Sequence, residues 1–297
     1  MIFNRRNNGA EELRMVTCSF YANADFTKIA SMVATVQTEV AKIVGADVMG
    51  AIEAAYEQGE DSEIIRAAQA TIGYMATMRY FRLNDISHET DGRKVKMDGE
   101  NERRPFEWQL ERDDRLHLEE YYNSFDRLIG LLMNDNNFKN TKLYQRMSGL
   151  IVKDCETLNW VTGIEFSNHL LIRLLPLLNE AQMYVQKSYG TTPLSEITDE
   201  GLLFLVQSAI GHRAMALFVR RTEMKALPAG AFRKIITSGG GKGDNTTEQL
   251  HDYFRHEMET AEGYVHDMQT RRDEMANESC EHLVMPENED GNKYFRV

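Results

Sequence analysis

Proline and cysteine are scarce, with five prolines and three cysteines in 297 residues. The residue that removes a backbone donor and breaks helices is nearly missing, so long stretches are free to be helical. Cys18, Cys155 and Cys280 stand far apart and are odd in number. That excludes a disulfide framework and fits a reducing compartment. Cations are in the minority too, with Lys+Arg 34 against Asp+Glu 46 and a formal net charge of -12. Coating nucleic acid or an anionic membrane needs a basic face, which this balance disfavours. By this reading no apolar run approaches the roughly 18–20 residues of a bilayer span, so no membrane role is expected. No apolar core follows Arg5-Arg6, so no secretory signal is expected either. The expectation is a soluble, acidic protein made in a cytoplasm.

What is present is ordinary globular composition, 42% hydrophobic and 27% charged, with sixteen methionines as adaptable packing. The spacing predicts a mainly α protein. Residues 1–24 read as an irregular N-terminal arm. Ile29, Met32, Val33, Val36, Val40 and Ile43 then fall at three- and four-residue steps, one face of an amphipathic helix. Gly45 interrupts it, and a second piece stops at Gly59. Residues 62–83 are apolar nearly all round, the mark of a buried central helix. Asp91-Gly92 is a hairpin signal between 86–88 and 94–97. Pro105 opens a further helix that Asn134-Asp-Asn-Asn breaks. After a mixed connector, the pattern restarts with a Leu-rich helix that ends at Gly190. Asp199 then caps a helix over 202–221.

The restart reads as an internal duplication. Sliding by 138 sets Gln69, Ile72, Gly73, Ala76 and Arg82 on Gln207, Ile210, Gly211, Ala214 and Arg220, five identities in nineteen positions, where about one is expected from composition. Sliding by 140 sets Gln109, Leu110, Arg115 and Glu119 on Gln249, Leu250, Arg255 and Glu259. The change of offset falls in the hairpin or loop, where insertions are tolerated. The expected organisation is an arm (1–24), helical unit 1 (25–135), a connector (136–165), helical unit 2 (166–275) and a C-terminal arm (276–297). Each unit would be helix, buried central helix, β-hairpin or loop, helix, with both arms flexible.

Candidate chemistry is thin. Ser238-Gly-Gly-Gly-Lys-Gly-Asp invites a phosphate-loop reading, but Ile236 stands where the first Gly is needed and Gly243 where Ser or Thr should follow the Lys. Glu248-Gln-Leu-His251 and Asp114-Arg-Leu-His117 have the spacing of carboxylate-bridged metal sites, yet sit at non-equivalent positions in the two units. Glu278-Ser-Cys280-Glu-His282 has no second Cys/His pair to complete a zinc site. Cys155 has no supporting nucleophile context. No catalytic residue, cofactor or metal is therefore expected. The pairs Arg5-Arg6, Arg103-Arg104, Arg220-Arg221 and Arg271-Arg272 read as solvated charge, with subunit salt bridges or phosphate contacts as the functional option. The tail from Pro286 is an acidic spacer ending in Lys293, Tyr294, Phe295, Arg296 and Val297, anchors able to dock in a partner.

Several stretches together resemble a known family. They are Ile43-Val-Gly45-Ala-Asp-Val-Met-Gly-Ala-Ile52, the Ala-rich helix Ala67–Tyr80, Asn84-Asp-Ile-Ser87 with its hairpin, and Phe106-Glu-Trp108-Gln109. In the second unit they are Phe166, Leu174–Glu180, Tyr189-Gly190 and the helix from Gly201. The order and spacing, over roughly residues 25–275, resemble the head–tail connector proteins of tailed phages and prophages of Bacteroidetes, crAss-like phages included. The resemblance implies a non-enzymatic virion protein of the neck. Copies would form a homo-oligomeric ring, twelve as the expected number, beneath the portal protein and next to further neck or tail proteins. DNA would pass through without specific binding. Lys293–Val297 would contact the portal or a neighbouring subunit. A non-virion assembly chaperone or helical-repeat binding protein is the alternative, and a carboxylate-bridged metal enzyme the third reading.

Overall fold

Apolar residues at helical spacing and few breakers give a mainly α chain, and that is the class of the computed structural model. It describes residues 1–5, 10–20, 24–84, 87–89, 92–94, 106–163, 166–221 and 245–281, with backbone alone at 87–89, 92–94, 245–250 and 278–281. The helices of the first half are α1 (Glu11–Thr17), α2 (Thr27–Val44), α3 (Ala46–Gln58), α4 (Glu63–Asn84) and α5 (Glu107–Leu132). Between α4 and α5, β1 (Ser87–Glu89) pairs antiparallel with β2 (Gly92–Lys94). The pairing closes at Glu89↔Gly92, which puts Gly92 in a strand rather than at the turn the sequence suggested. Gly45, at φ +107°, separates α2 from α3, and a Cβ there would meet Thr141 Cγ2 at 3.0 Å.

Three short helices follow, α6 (Asn136–Lys139), α7 (Lys142–Ser148) and α8 (Cys155–Thr162). The side chains of Asp135, Thr141 and Asp154 cap them by accepting from Phe138, Tyr144 and Thr157 N–H. The second half holds α9 (Asn168–Tyr189), a 3₁₀ turn (Leu194–Glu196), α10 (Glu200–Arg221) and α11 (Asn245–Glu281). Asp199 caps α10 as expected, accepting from Leu202 N–H at 2.7 Å.

Two cores result. Unit 1 encloses Ile29, Val33, Ile72, Ala76, Phe125 and Leu128, while unit 2 encloses Leu170, Leu174, Val206, Ile210 and Met268. Met133 and Leu143 pack against both. The connector is therefore more than a linker. Phe138 plugs the first core at 0% exposure, and Met147, Val152 and Leu158 are buried in the second.

Three further expectations need correction. The N-terminal segment is not a loose arm over its described residues. Ile2 and Leu13 are fully buried, the Ile2 carbonyl accepts from Gln69 Nε2 at 2.7 Å, and the terminal ammonium pairs with Glu53. Burial of short apolar side chains outweighs the polar composition around them. An apolar run long enough for a bilayer does exist: α10 reaches a mean hydropathy of 1.6 over its best window. That window is 67% buried, covered by α8, α9 and α11, as befits the central helix of a core. At the other end, α11 continues through Glu281, past the boundary expected at 275.

Helix contacts follow a similar order in the two halves. α5 lies along α4 and α11 along α10, while α2 and α9 flank those central helices. At an offset of 141, Ile29, Val33, Gln37, Val40 and Val44 meet Leu170, Leu174, Leu178, Ala181 and Val185, all buried. A short helix crosses each central helix at its glycine. A Cβ on Gly73 would meet Thr17 Cγ2 at 3.1 Å and Leu13 Cδ1 at 3.2 Å. One on Gly211 would meet Val161 Cγ2 at 2.8 Å and Thr162 Cγ2 at 3.0 Å. Both short helices end in a threonine whose hydroxyl donates four residues back, Thr17 to Leu13 O and Thr162 to Leu158 O. Left-handed residues, Cys18 and Gly163, then terminate them. α3 has no helical counterpart, since a 3₁₀ turn stands between α9 and α10.

The glycines yield a contrast that can be measured. Gly211→Ala forces α8 outward and should cost about 1–3 kcal/mol despite the better helix propensity of Ala. Gly263→Ala on α11, with nothing within 4 Å of the added carbon, should stabilise by about 0.5–1 kcal/mol. Urea denaturation of the two variants should give shifts of opposite sign.

Candidate functional site

Chemistry-bearing side chains turn out to be tied to one another. Asp114 Oδ2 accepts from Arg82 Nε at 2.7 Å. His117 is buried between Ser19 Oγ and the Asp113 carbonyl, each at 3.1 Å, with Tyr74 and Phe81 edge-on to its ring. The Asp114-x-x-His117 spacing therefore does not converge on an ion. No group of three or more His, Cys, Asp or Glu able to hold a metal occurs among the described residues. The side chains of Glu248, Glu278, Cys280 and His282 lie outside them, as does the loop 238–243.

Cys155 opens α8 beside Asp126. Burial first, and then the Asp126 charge, push its thiol above the ordinary range, the opposite of an activated nucleophile. Asp126 is half-buried on α5; its backbone carbonyl accepts from the Asn168 side chain and its carboxylate from the His169 N–H at 2.7 Å, so unit 1 helps cap the first turn of α9. Burial raises its carboxyl against those bonds. His169 packs 4.5 Å from the Tyr122 ring centroid and 5.5 Å from that of Phe125. Its Nδ1 is buried with no hydrogen-bond partner in the structure. Desolvation, with Arg173 adding to it, pulls its pKa down to about 4. This cluster is the seam between the units, built from groups the sequence reading left unremarked.

The second unit has its own polar seam. His212 Nδ1 lies 2.7 Å from Glu257 Oε2, and its ring stacks on Tyr264 at 5.6 Å. Burial, then Glu257, raise the neighbouring Tyr253 hydroxyl well above its usual range. Arg213 lies 3.5 Å over the Tyr184 ring and bonds Glu262 at 2.9 Å. The described arginines of the pairs stay partly solvent-exposed but are engaged by partners. Arg221 grips Glu180 with two bonds of 2.6 and 2.8 Å. Arg271 reaches Asp199, Arg272 donates to Tyr189 O at 2.5 Å, and Arg220 lies over Phe254. Arg5 covers Tyr56, while Arg103 and Arg104 are outside the described residues.

What faces outward is apolar in unexpected places. Met15 on α1 is 75% exposed and Trp160 on α8 is 76% exposed. Each sits two residues after the leucine and two before the threonine of its short helix, so they hold the same register. Phe106, Trp108, Phe166 and Met183 are also more than half exposed. Single exposed side chains are normal, but a tryptophan at this exposure is costly unless something covers it.

Two grooves are present. One of about 600 Å³ is acidic, with Glu11, Glu12, Glu60 and Asp61 against Arg66. Arg66 is already held by Asp61 at 2.8 Å. The other, about 1060 Å³, lies where α2, α7 and α9 meet, between the units. Its floor includes Ile172, Leu175 and Pro176, and Lys42, Lys142 and Arg146 stand around it with Asp47 as its one carboxylate. Pro176 sits inside α9 and lacks the N–H that would bond the Ile172 carbonyl. The docking residues expected from the sequence, Lys293–Val297, lie outside the described residues. Comparison with protein-family models, curated proteins and solved structures finds no match to the chain.

Proposed function

We propose that this protein is a head–tail connector of a tailed phage, a non-enzymatic subunit of a ring between portal and tail that extends the DNA channel. The observation that carries the reading is the matched pair of outward apolar residues, Met15 and Trp160, on corresponding short helices. A subunit built from two similar units offers a contact at each end, and head-to-tail contact between copies closes into a ring when the rotation permits. The charge suits a conduit. A net charge of -12 gives DNA little phosphate neutralisation, so the channel would not grip its cargo. The same reading takes the chain as an internal duplication and Lys293–Val297 as the contact to the portal or a neighbouring subunit, with the virion neck as its place.

Mass photometry and negative-stain microscopy of the chain, alone and mixed with its portal, test the proposal. Rings, twelve-fold by expectation, or saturable docking on the portal are the expected result, and Trp160→Glu should abolish them while the monomer stays folded. A wild-type monomer or dimer that ignores the portal overturns it and favours the assembly-chaperone reading.

A further inference from the structure

We infer that the groove between the units receives the acidic tail segment 286–297 of a neighbouring copy. The groove is the exception on this molecule: three cations, Lys42, Lys142 and Arg146, against the single carboxylate Asp47, on a chain of net charge -12. All three cations are exposed. None has a described carboxylate within ion-pair distance, unlike Arg79, Arg82, Arg213 and Arg221. The first half of the segment is the complement in charge, while Lys293 and Arg296 flank the aromatics that follow. Glu287, Glu289 and Asp290 precede Tyr294 and Phe295, so acids can pair with the rim while the aromatics lie on Ile172 and Pro176. The Ile172 carbonyl, lacking an N–H from Pro176, offers a backbone acceptor on that floor. Charge complementarity gives the encounter and the register, and the aromatic anchors give residence time.

Reach decides which copy supplies the segment. α9 and α11 run in the same direction, since Tyr184 bonds Glu262 and Tyr189 bonds Arg272. From Arg272 to Glu281, α11 carries the chain about 13 Å beyond the end of α9. Pro176 lies about 20 Å back from Tyr189. The run Glu287–Asp290 is about 20–31 Å from Glu281 at full extension, and the groove floor lies roughly 28–33 Å away along the axis. Reaching its own groove would hold the acidic run at close to full extension, whereas the tail of a second copy can enter it unstretched. The inference rests on the ring reading only for that second copy.

The test is a fluorescein-labelled peptide of residues 286–297 titrated with the full chain, followed by anisotropy. Saturable binding is expected, weakened about tenfold or more in the Lys142→Glu/Arg146→Glu variant and by raising salt from about 0.05 to 0.3 M. A peptide carrying Glu287→Lys, Glu289→Lys and Asp290→Lys should prefer the reversed groove, which separates charge pairing from misfolding of the variant. No saturable binding, or equal affinity for both grooves, overturns the inference. Mass photometry of the same samples keeps the two readings apart. Rings without peptide binding sink this inference alone, while peptide binding by a chain that never assembles, with or without portal, upholds the groove and sinks the ring.

Discussion

Phe138→Ala should cost the protein about 3–5 kcal/mol, a large part of the stability of most domains. Phe138 sits in the four-residue helix α6, in a stretch whose composition looks like a loop, yet its side chain is 0% exposed. It packs into the unit 1 core and stands edge-on to Tyr144 at 6.0 Å. Asp135 holds it there by accepting its N–H at 3.0 Å. Deleting the ring removes its transfer free energy and leaves a cavity among side chains that relax only in part. Because Phe138 ties the connector to unit 1, the loss should also loosen the attachment of unit 2. Urea denaturation followed by far-UV circular dichroism measures the loss, and hydrogen exchange at Met133 and Leu143 reports the loosening. A loss below about 1 kcal/mol would show that the site collapses around the missing ring.

Acid should destabilise the protein through His169, the second large effect. Its folded pKa of about 4 lies below the unfolded value near 6.5. Between those values the unfolded chain binds more protons, so stability is complete above about pH 6.5 and falls as the pH drops toward 4. At pH 4.5 the loss from this group is about 2.5 kcal/mol. Asp126 works the other way: burial raises its carboxyl, so the fold takes up that proton before the unfolded chain does and offsets part of the loss as the pH falls. His169→Phe keeps a flat ring between Tyr122 and Phe125 that cannot be protonated. Near pH 7.5 it should match the wild type within about 1 kcal/mol, and at pH 4.5 it should be the more stable of the two. Parallel pH profiles for the two proteins would rule His169 out as the source.

Several features were legible because they depend on neighbours in sequence. The 3.6-residue spacing of Ile29, Val33, Val36 and Val40 names a helix and its buried face wherever that helix packs. Gly45, Gly59 and Gly190 marked ends because each takes a positive φ, and Asp199 marked a start because its carboxylate reaches the first free N–H groups. The all-round apolar character of 62–83 foretold a central helix.

Other features depended on distant residues, which no local spacing encodes. Ile2 and Leu13 are ordinary apolar residues in a polar stretch until the fold buries them, Leu13 on a helix that Gly73 leaves room for. The bilayer-length apolar run of α10 is a core helix only because α8, α9 and α11 cover it. Arg221 and Arg272 look like solvated charge until Glu180 and the Tyr189 carbonyl meet them across helices. The groove at Lys42, Lys142 and Arg146 draws its cations from α2 and α7 and its floor from α9. Thus the sequence by itself determined the helices, their buried faces and most of their ends, since those follow from spacing and backbone stereochemistry. The tertiary structure alone decided which charges find partners and which stay unpaired around the groove, because that depends on side chains brought together from far apart in the chain.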